Sequence, residues 1–152
     1  TATIPNPQPT GLVPLKAQDE FQARWNKHDL SSIAEMLDSN AEILVSPILD
    51  PVDRNAYIGW QELFFTAFPD ISMTTVRCYG GKDWAVSEIR LKGTNSGPYI
   101  GNPSTGKKIE LKAGYLTRFD TKGLITSLKL YIDSMVIMKQ LGLEPVKTTT
   151  KQ

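Results

Sequence analysis

The chain has little of what several classes of function require. It contains one cysteine, Cys78, and one histidine, His28. A lone cysteine excludes an internal disulfide and a cysteine-built zinc cluster, and Cys78 reads as a small, half-buried hydrophobe in a strand. A Cys–His nucleophilic pair would have to join these two residues, and nothing in their local sequences points to it. An excess of charge is also missing. Against 17 Lys+Arg stand 16 Asp+Glu, a formal net charge of +1 over 152 residues. Without a broad positive field, nucleic acid and anionic membrane surfaces are excluded as principal partners. No apolar run approaches the roughly 20 residues of a membrane span, and residues 1–9 lack the charged and apolar regions of a signal peptide, so a cytoplasmic location is expected. A start at Thr1 fits removal of Met and loss of a leader equally well.

What is present is the composition of an ordinary folded domain, 40% hydrophobic and 22% charged. A globular chain of this size buries roughly 68–70% of the surface its unfolded form exposes, enough for one core. Pro5, Pro7, Pro9 and Gly11 mark residues 1–13 as an extended arm, and 145–152 reads as a polar tail, leaving a single domain over 14–144. Ala17, Phe21 and Trp25 at i, i+4, i+8 predict a helix over about 14–28. Ser32 and Glu35 form a capping box for a short second helix carrying Ile33, Ala34 and Leu37. Ile43, Leu44 and Val45 predict a strand over 41–46, stopped by Pro47. Asp53 caps a third helix in which Tyr57, Trp60, Phe64 and Phe68 make the strongest apolar stripe in the chain, ended by Pro69. Segments 71–79, 84–92, 107–119 and 124–132 read as a four-strand meander, and Asp133 or Ser134 caps a closing helix finished by Gly142 and Pro145. This order predicts an α+β fold with N-terminal helices packed on a curved antiparallel or mixed sheet. The space between them is expected to form a cone lined by the aromatic stripe and Trp25.

Several groups are candidates for chemistry. Gly101-Asn-Pro-Ser-Thr-Gly106-Lys107-Lys108 approximates a phosphate-binding loop, but Lys108 stands where a Mg²⁺-holding hydroxyl is needed. The alternation of Ile109, Leu111, Ala113 and Tyr115 announces a strand instead of a helix, so the segment reads as a hairpin connection. Glu88 and Arg90, two apart on one strand, face the same way; they are either a water-activating carboxylate with its guanidinium or a surface ion pair. Asp133 is either a pocket acid–base group or a helix cap, and His28 either a helix C-terminal cap or a pocket base. Leu128, Leu130 and Ile132 share the apolar face of the last strand.

The stretch Trp25-Asn26 with Asp29, the Phe68-Pro69-Asp70-Ile71 junction, the Gly93-Thr94-Asn95-Ser96-Gly97 turn, the Ile100-to-Lys107 connection and Gln140-Leu141-Gly142 together resemble the SnoaL-like polyketide cyclases. These belong to the NTF2-like superfamily, with ketosteroid isomerase and limonene epoxide hydrolase. The resemblance spans about residues 15–143. It implies a cone-shaped α+β barrel that forms a homodimer. It also implies cofactor-free intramolecular aldol ring closure, with an Asp on the last strand as acid and base and a His on the strand before it. Matched back from Gln140-Leu141-Gly142, those two positions fall on Leu130 and, with one residue inserted, on Tyr115, while Asn95 stands where relatives often carry a turn His.

The expectation is therefore a SnoaL-like cyclase or isomerase acting on a polyketide-like or other hydrophobic enolisable compound, with no cofactor and no metal. Its candidate catalytic residues are Tyr115, Asp133, Glu88 and Arg90. Its pocket wall is expected from Trp25, Tyr57, Trp60, Phe64, Phe68, Leu128 and Leu130. One alternative is a non-catalytic protein that binds a hydrophobic small molecule; another is epoxide-hydrolase-like water activation by Glu88 and Arg90.

Overall fold

In the computed structural model, residues 12–46 and 48–143 are described. The arm as far as residue 11, the strand stop at Pro47 and the tail over 145–152 lie outside the described residues. The elements run α1 (Leu12–Asn26), α2 (Leu30–Glu35), β1 (Leu37–Val45), α3 (Arg54–Ala67), β2 (Ser72–Gly80), β3 (Trp84–Thr94), β4 (Lys108–Phe119), β5 (Ile125–Tyr131) and α4 (Ser134–Gln140). Residues 12 and 13, expected in the arm, already belong to α1. Pro14 does not prevent this, because an amide in the first turn of a helix has no intrahelical acceptor to lose.

The five strands form one mixed sheet in the order β1-β5-β4-β3-β2. The expected meander β2 to β5 is antiparallel throughout, and β1 adds itself to β5 in parallel. The sheet is curved and open, so the cone is half sheet and half helix in place of a closed barrel. Strict alternation on β3 and β4 sends Ala85, Ser87, Ile89 and Leu91, with Ile109, Leu111, Ala113 and Tyr115, to the concave side. Buried hydrophobes of α1, α3 and this concave side form one core. Side-chain amides of α1 also finish the free edge of the sheet: Asn26 exchanges two hydrogen bonds with the Met73 backbone of β2, at 2.7 and 2.9 Å. Such pairing satisfies an edge strand without presenting it for aggregation.

Caps explain where the helices start. Asp53 accepts from the Ala56 amide at 2.8 Å, as expected, and Asp133 accepts from the Met135 amide at 3.0 Å. The second helix corrects the expected capping box. Its cap is Asp29, whose carboxylate accepts from the Ser32 amide at 3.1 Å, so Ser32 sits inside the helix. Asp29 wins because the chain reverses one residue earlier, at His28, whose φ of 56° ends α1 in the left-handed region.

The connection between β3 and β4 is pinned by Asn95, a side chain with no exposed surface. Its amide nitrogen donates to the carbonyls of Ala67 (3.3 Å) and Gly97 (2.8 Å). Its oxygen accepts from the amide and the hydroxyl of Thr105, at 2.8 and 2.9 Å. Both ends of the loop are thereby tied to the end of α3. Gly97 must be glycine here, because a Cβ would stand 2.1 Å from the Thr66 carbonyl oxygen. The segment resembling a phosphate-binding loop runs through this connection into β4, with no helix after it.

Candidate functional site

The concave side of the sheet and the helices enclose a cavity of about 620 Å³. Strands β3, β4 and β5 supply its floor, with Ile89, Leu91, Tyr115, Leu128 and Leu130, extended by Ile132 just after β5. The helices supply its roof: Phe21 and Trp25 from α1, and Tyr57, Trp60, Gln61 and Phe64 from α3. Residues 98–101 and 45–48 contribute to the wall as well, apart from residue 47, which is not described; of these Ile100 is largely exposed. Trp25 is held rigidly, with the rings of Phe65 and Phe64 at centroid distances of 5.0 and 6.5 Å. The volume is that of a small-molecule site, and its walls are overwhelmingly apolar.

Cross-strand register gathers one row of side chains across the floor. Cys78 of β2 pairs with Ser87 of β3, Ser87 with Tyr115 of β4, Tyr115 with Leu130 of β5, and Leu130 with Val45 of β1. Tyr115 and Leu130 are therefore direct neighbours on the concave side. The Ser87 end of the row is polar and internally satisfied. Gln18 of α1 donates to the Ser87 hydroxyl at 3.0 Å and accepts from the Thr117 hydroxyl at 2.6 Å, and Ser87 donates to Cys78 Sγ at 3.4 Å. Cys78 is half-buried, and that burial raises its thiol pKa while the Ser87 hydroxyl opposes the rise.

The Tyr115 hydroxyl is different: it is buried and has no hydrogen-bond partner among the described residues. Ser87 lies beside it; its hydrogen goes to Cys78 and one lone pair to Gln18, so towards Tyr115 it can only accept. Burial pushes the phenols of both Tyr57 and Tyr115 well above the ordinary tyrosine range, so each is neutral at any physiological pH. Among the described residues, no Asp, Glu, Lys, Arg or His lines the cavity, and no group of three or more His, Cys, Asp or Glu is placed to hold a metal ion.

The other candidate residues lie elsewhere. Glu88 is exposed and Arg90 only half-buried, both on the outer side of β3, where Arg90 approaches Glu110 at 3.7 Å. They do not reach the cavity, because alternation on β3 gives that side to Ile89 and Leu91. Asp133 is exposed and serves as the cap of α4. His28 lies outside the cavity wall, stacked on Phe65 at 4.1 Å, with Nε2 2.8 Å from the Ile71 carbonyl. Since a carbonyl only accepts, that nitrogen carries the hydrogen. Phe68, expected in the wall, is 0% exposed and packs instead against Phe64 and Tyr99. Phe68 is the C-cap of α3, with φ −131° and ψ 76°, so the chain has already left the helix there and its ring no longer follows the stripe.

Sequence reasoning missed Gln61. It sits four residues after Tyr57, on the same helix face, and accepts a hydrogen bond from the Trp25 indole at 2.8 Å. The only signal was a polar residue interrupting an aromatic stripe.

The architecture, four helices around one curved sheet with an apolar cavity between them, is that of the NTF2-like superfamily. Within it the chain belongs to the SnoaL-like polyketide cyclase family, whose model matches residues 16–141. A SnoaL-like polyketide cyclase candidate from Jannaschia sp. CCS1 has a solved structure similar to this one. Its TM-score is 0.81 at 16% identity, covering 92% of this chain and 99% of that one. AclR, a candidate hydroxylase from Streptomyces galilaeus, matches at 0.79 and 21% identity over 87% and 97% of the two chains. IdmH, a candidate polyketide cyclase from Streptomyces antibioticus, matches at 0.76 and 23% over 86% and 99%. At these identities the likeness is one of fold. Among curated proteins none matches the sequence. No helix among the described residues is long and apolar enough to cross a membrane.

Proposed function

We propose that this chain is a cyclase-type enzyme that folds a neutral, apolar, polyketide-like compound in its cavity and promotes ring closure without an ionisable acid–base pair. The carrying observation is the Tyr115–Leu130 pair. These residues occupy the positions that the family resemblance gives to the catalytic His and Asp, and they stand opposite one another across β4 and β5. A neutral phenol beside an apolar side chain supports hydrogen-bond donation and does not support proton abstraction.

The chemistry suited to such a pair is attack of an enol carbon on a carbonyl of the same molecule. The new C–C bond forms as the carbonyl π bond breaks; the carbonyl oxygen takes up a proton and the enol oxygen gives one up, so the step is balanced without a protein base. Tyr115 donates to the oxygen on which negative charge builds, and the aromatic roof holds the chain folded for reaction. Its hydroxyl is unbonded in the empty protein, so a ligand oxygen that reaches it breaks no internal bond.

A 1,3,7-triketone, whose 1,3-dione unit is already enolised in water and whose closure to the cyclic β-hydroxy ketone is followed by chromatography, tests the reading. The wild-type protein accelerates closure, and Tyr115→Phe loses roughly 10²-fold or more of that acceleration, the usual cost of one oxyanion donor. The absence of Asp, Glu, Lys, Arg and His from the wall among the described residues favours one other reading, a non-catalytic binder of hydrophobic small molecules. Saturable binding of the triketone with no acceleration would establish it in place of the first.

A further inference from the structure

The cavity has a second polar feature besides Tyr115, and its orientation is fixed. Gln61 is only 9% exposed and lines the roof from the middle of α3. Its partner Trp25 settles which way the amide points. An indole N–H can only donate, so the oxygen of Gln61 must face Trp25, as it does at 2.8 Å, and the –NH₂ group must face away. Trp25 cannot swing to release it, being 3% exposed and wedged against Phe64 and Phe65. Among the described residues the Gln61 nitrogen has no acceptor.

We infer that Gln61 is a specificity-determining residue, a fixed amide donor that selects ligands carrying a neutral oxygen acceptor such as a ketone over hydrocarbons of the same shape. This rests on the cavity being a small-molecule site, as proposed above. The preference has a direction. With Gln61 donating from the roof and no cationic side chain in the wall among the described residues, a carbonyl is satisfied inside the cavity, whereas a carboxylate would lie buried without a counter-charge. Trp25 acts as a positioning residue: its N–H holds the amide so that the donor, and not the acceptor, meets the ligand.

The test compares 9-fluorenone with fluorene, flat molecules of nearly equal shape that differ in one carbonyl, by equilibrium dialysis against the full chain. Wild-type protein should bind fluorenone roughly threefold to tenfold more tightly, the worth of one net hydrogen bond. Gln61→Leu should erase that preference by weakening fluorenone alone. Gln61→Met keeps the length and packing of the side chain without an N–H donor and should also lose the preference. A folded variant that retains the wild-type preference overturns the inference, as does an equal weakening of both probes, which would make Gln61 a wall residue only. Equal binding of both probes by the wild-type protein overturns the inference alone. Binding of neither probe overturns the small-molecule reading of the cavity and the inference with it.

Discussion

Replacing Tyr115 by Phe should make the empty protein more stable and less able to act. The hydroxyl it removes is buried and has no partner among the described residues. An unsatisfied buried polar group costs about 1–3 kcal/mol relative to a bonded one, and Phe gives back only a hydroxyl-sized void. The expected net gain is about 1 kcal/mol, which for a domain of this size raises the melting temperature by about 2–4 °C. Urea unfolding followed by far-UV circular dichroism should show a higher midpoint with an unchanged slope, the mark of altered stability without altered compactness. The same variant should lose ring-closing activity. Opposite movement of stability and activity is what a functional group held ready at a structural cost produces. A Tyr115→Phe protein that melts lower by a similar amount would refute the reasoning, because it would mean that the hydroxyl is bonded within the fold.

The remaining predictions concern what holds the cavity in place. Asn95→Ala removes four side-chain hydrogen bonds and leaves the Thr105 amide without its acceptor; thermal melting should show a loss of about 2–4 kcal/mol. Asp133→Ala should cost about 1 kcal/mol, whereas Asp133→Asn keeps the cap and should leave both melting and activity nearly unchanged. Asp70 accepts from the Thr94 amide at 2.6 Å, and that bond lowers its pKa in the folded state. Its contribution is therefore fully present above the ordinary carboxylate pKa and lost as pH falls through the lowered one, so Asp70→Asn should narrow the stability gap between neutral and acid pH. An unchanged pH dependence of unfolding in that variant would contradict the assignment.

Local signals were legible in the sequence and non-local ones were not. The aromatic stripe of α3, its Asp53 cap and the alternation of β3 and β4 are periodicities within one element, and the structure keeps them. The parallel pairing of β1 with β5 joins segments some 85 residues apart, and no local pattern announces it; with it β1 starts at Leu37, four residues earlier than its apolar run suggests. Asp29 and Ser32 are both good caps, and only the chain reversal at His28 decides between them. For the site, alternation placed Leu128 and Leu130 in the cavity and left the side of Glu88 and Arg90 open, which the curvature of the sheet decided in favour of solvent. Gln61 was invisible because a glutamine at the margin of an apolar stripe looks like its solvent edge until Trp25 is seen to reach it from another helix.

The central claim is that this cavity works with neutral hydrogen-bond donors in place of an ionisable acid–base pair. It is tested most directly by the pH dependence of kcat/KM for closure of the triketone probe. No group lining the cavity titrates between pH 5 and 9 on this account, since the buried phenols ionise only far above that range. The predicted profile is flat to within about twofold across it, after correction for the uncatalysed reaction. A bell-shaped profile, or a limb rising between pH 5 and 7, would reveal a carboxylate or imidazole in the reaction and contradict the account.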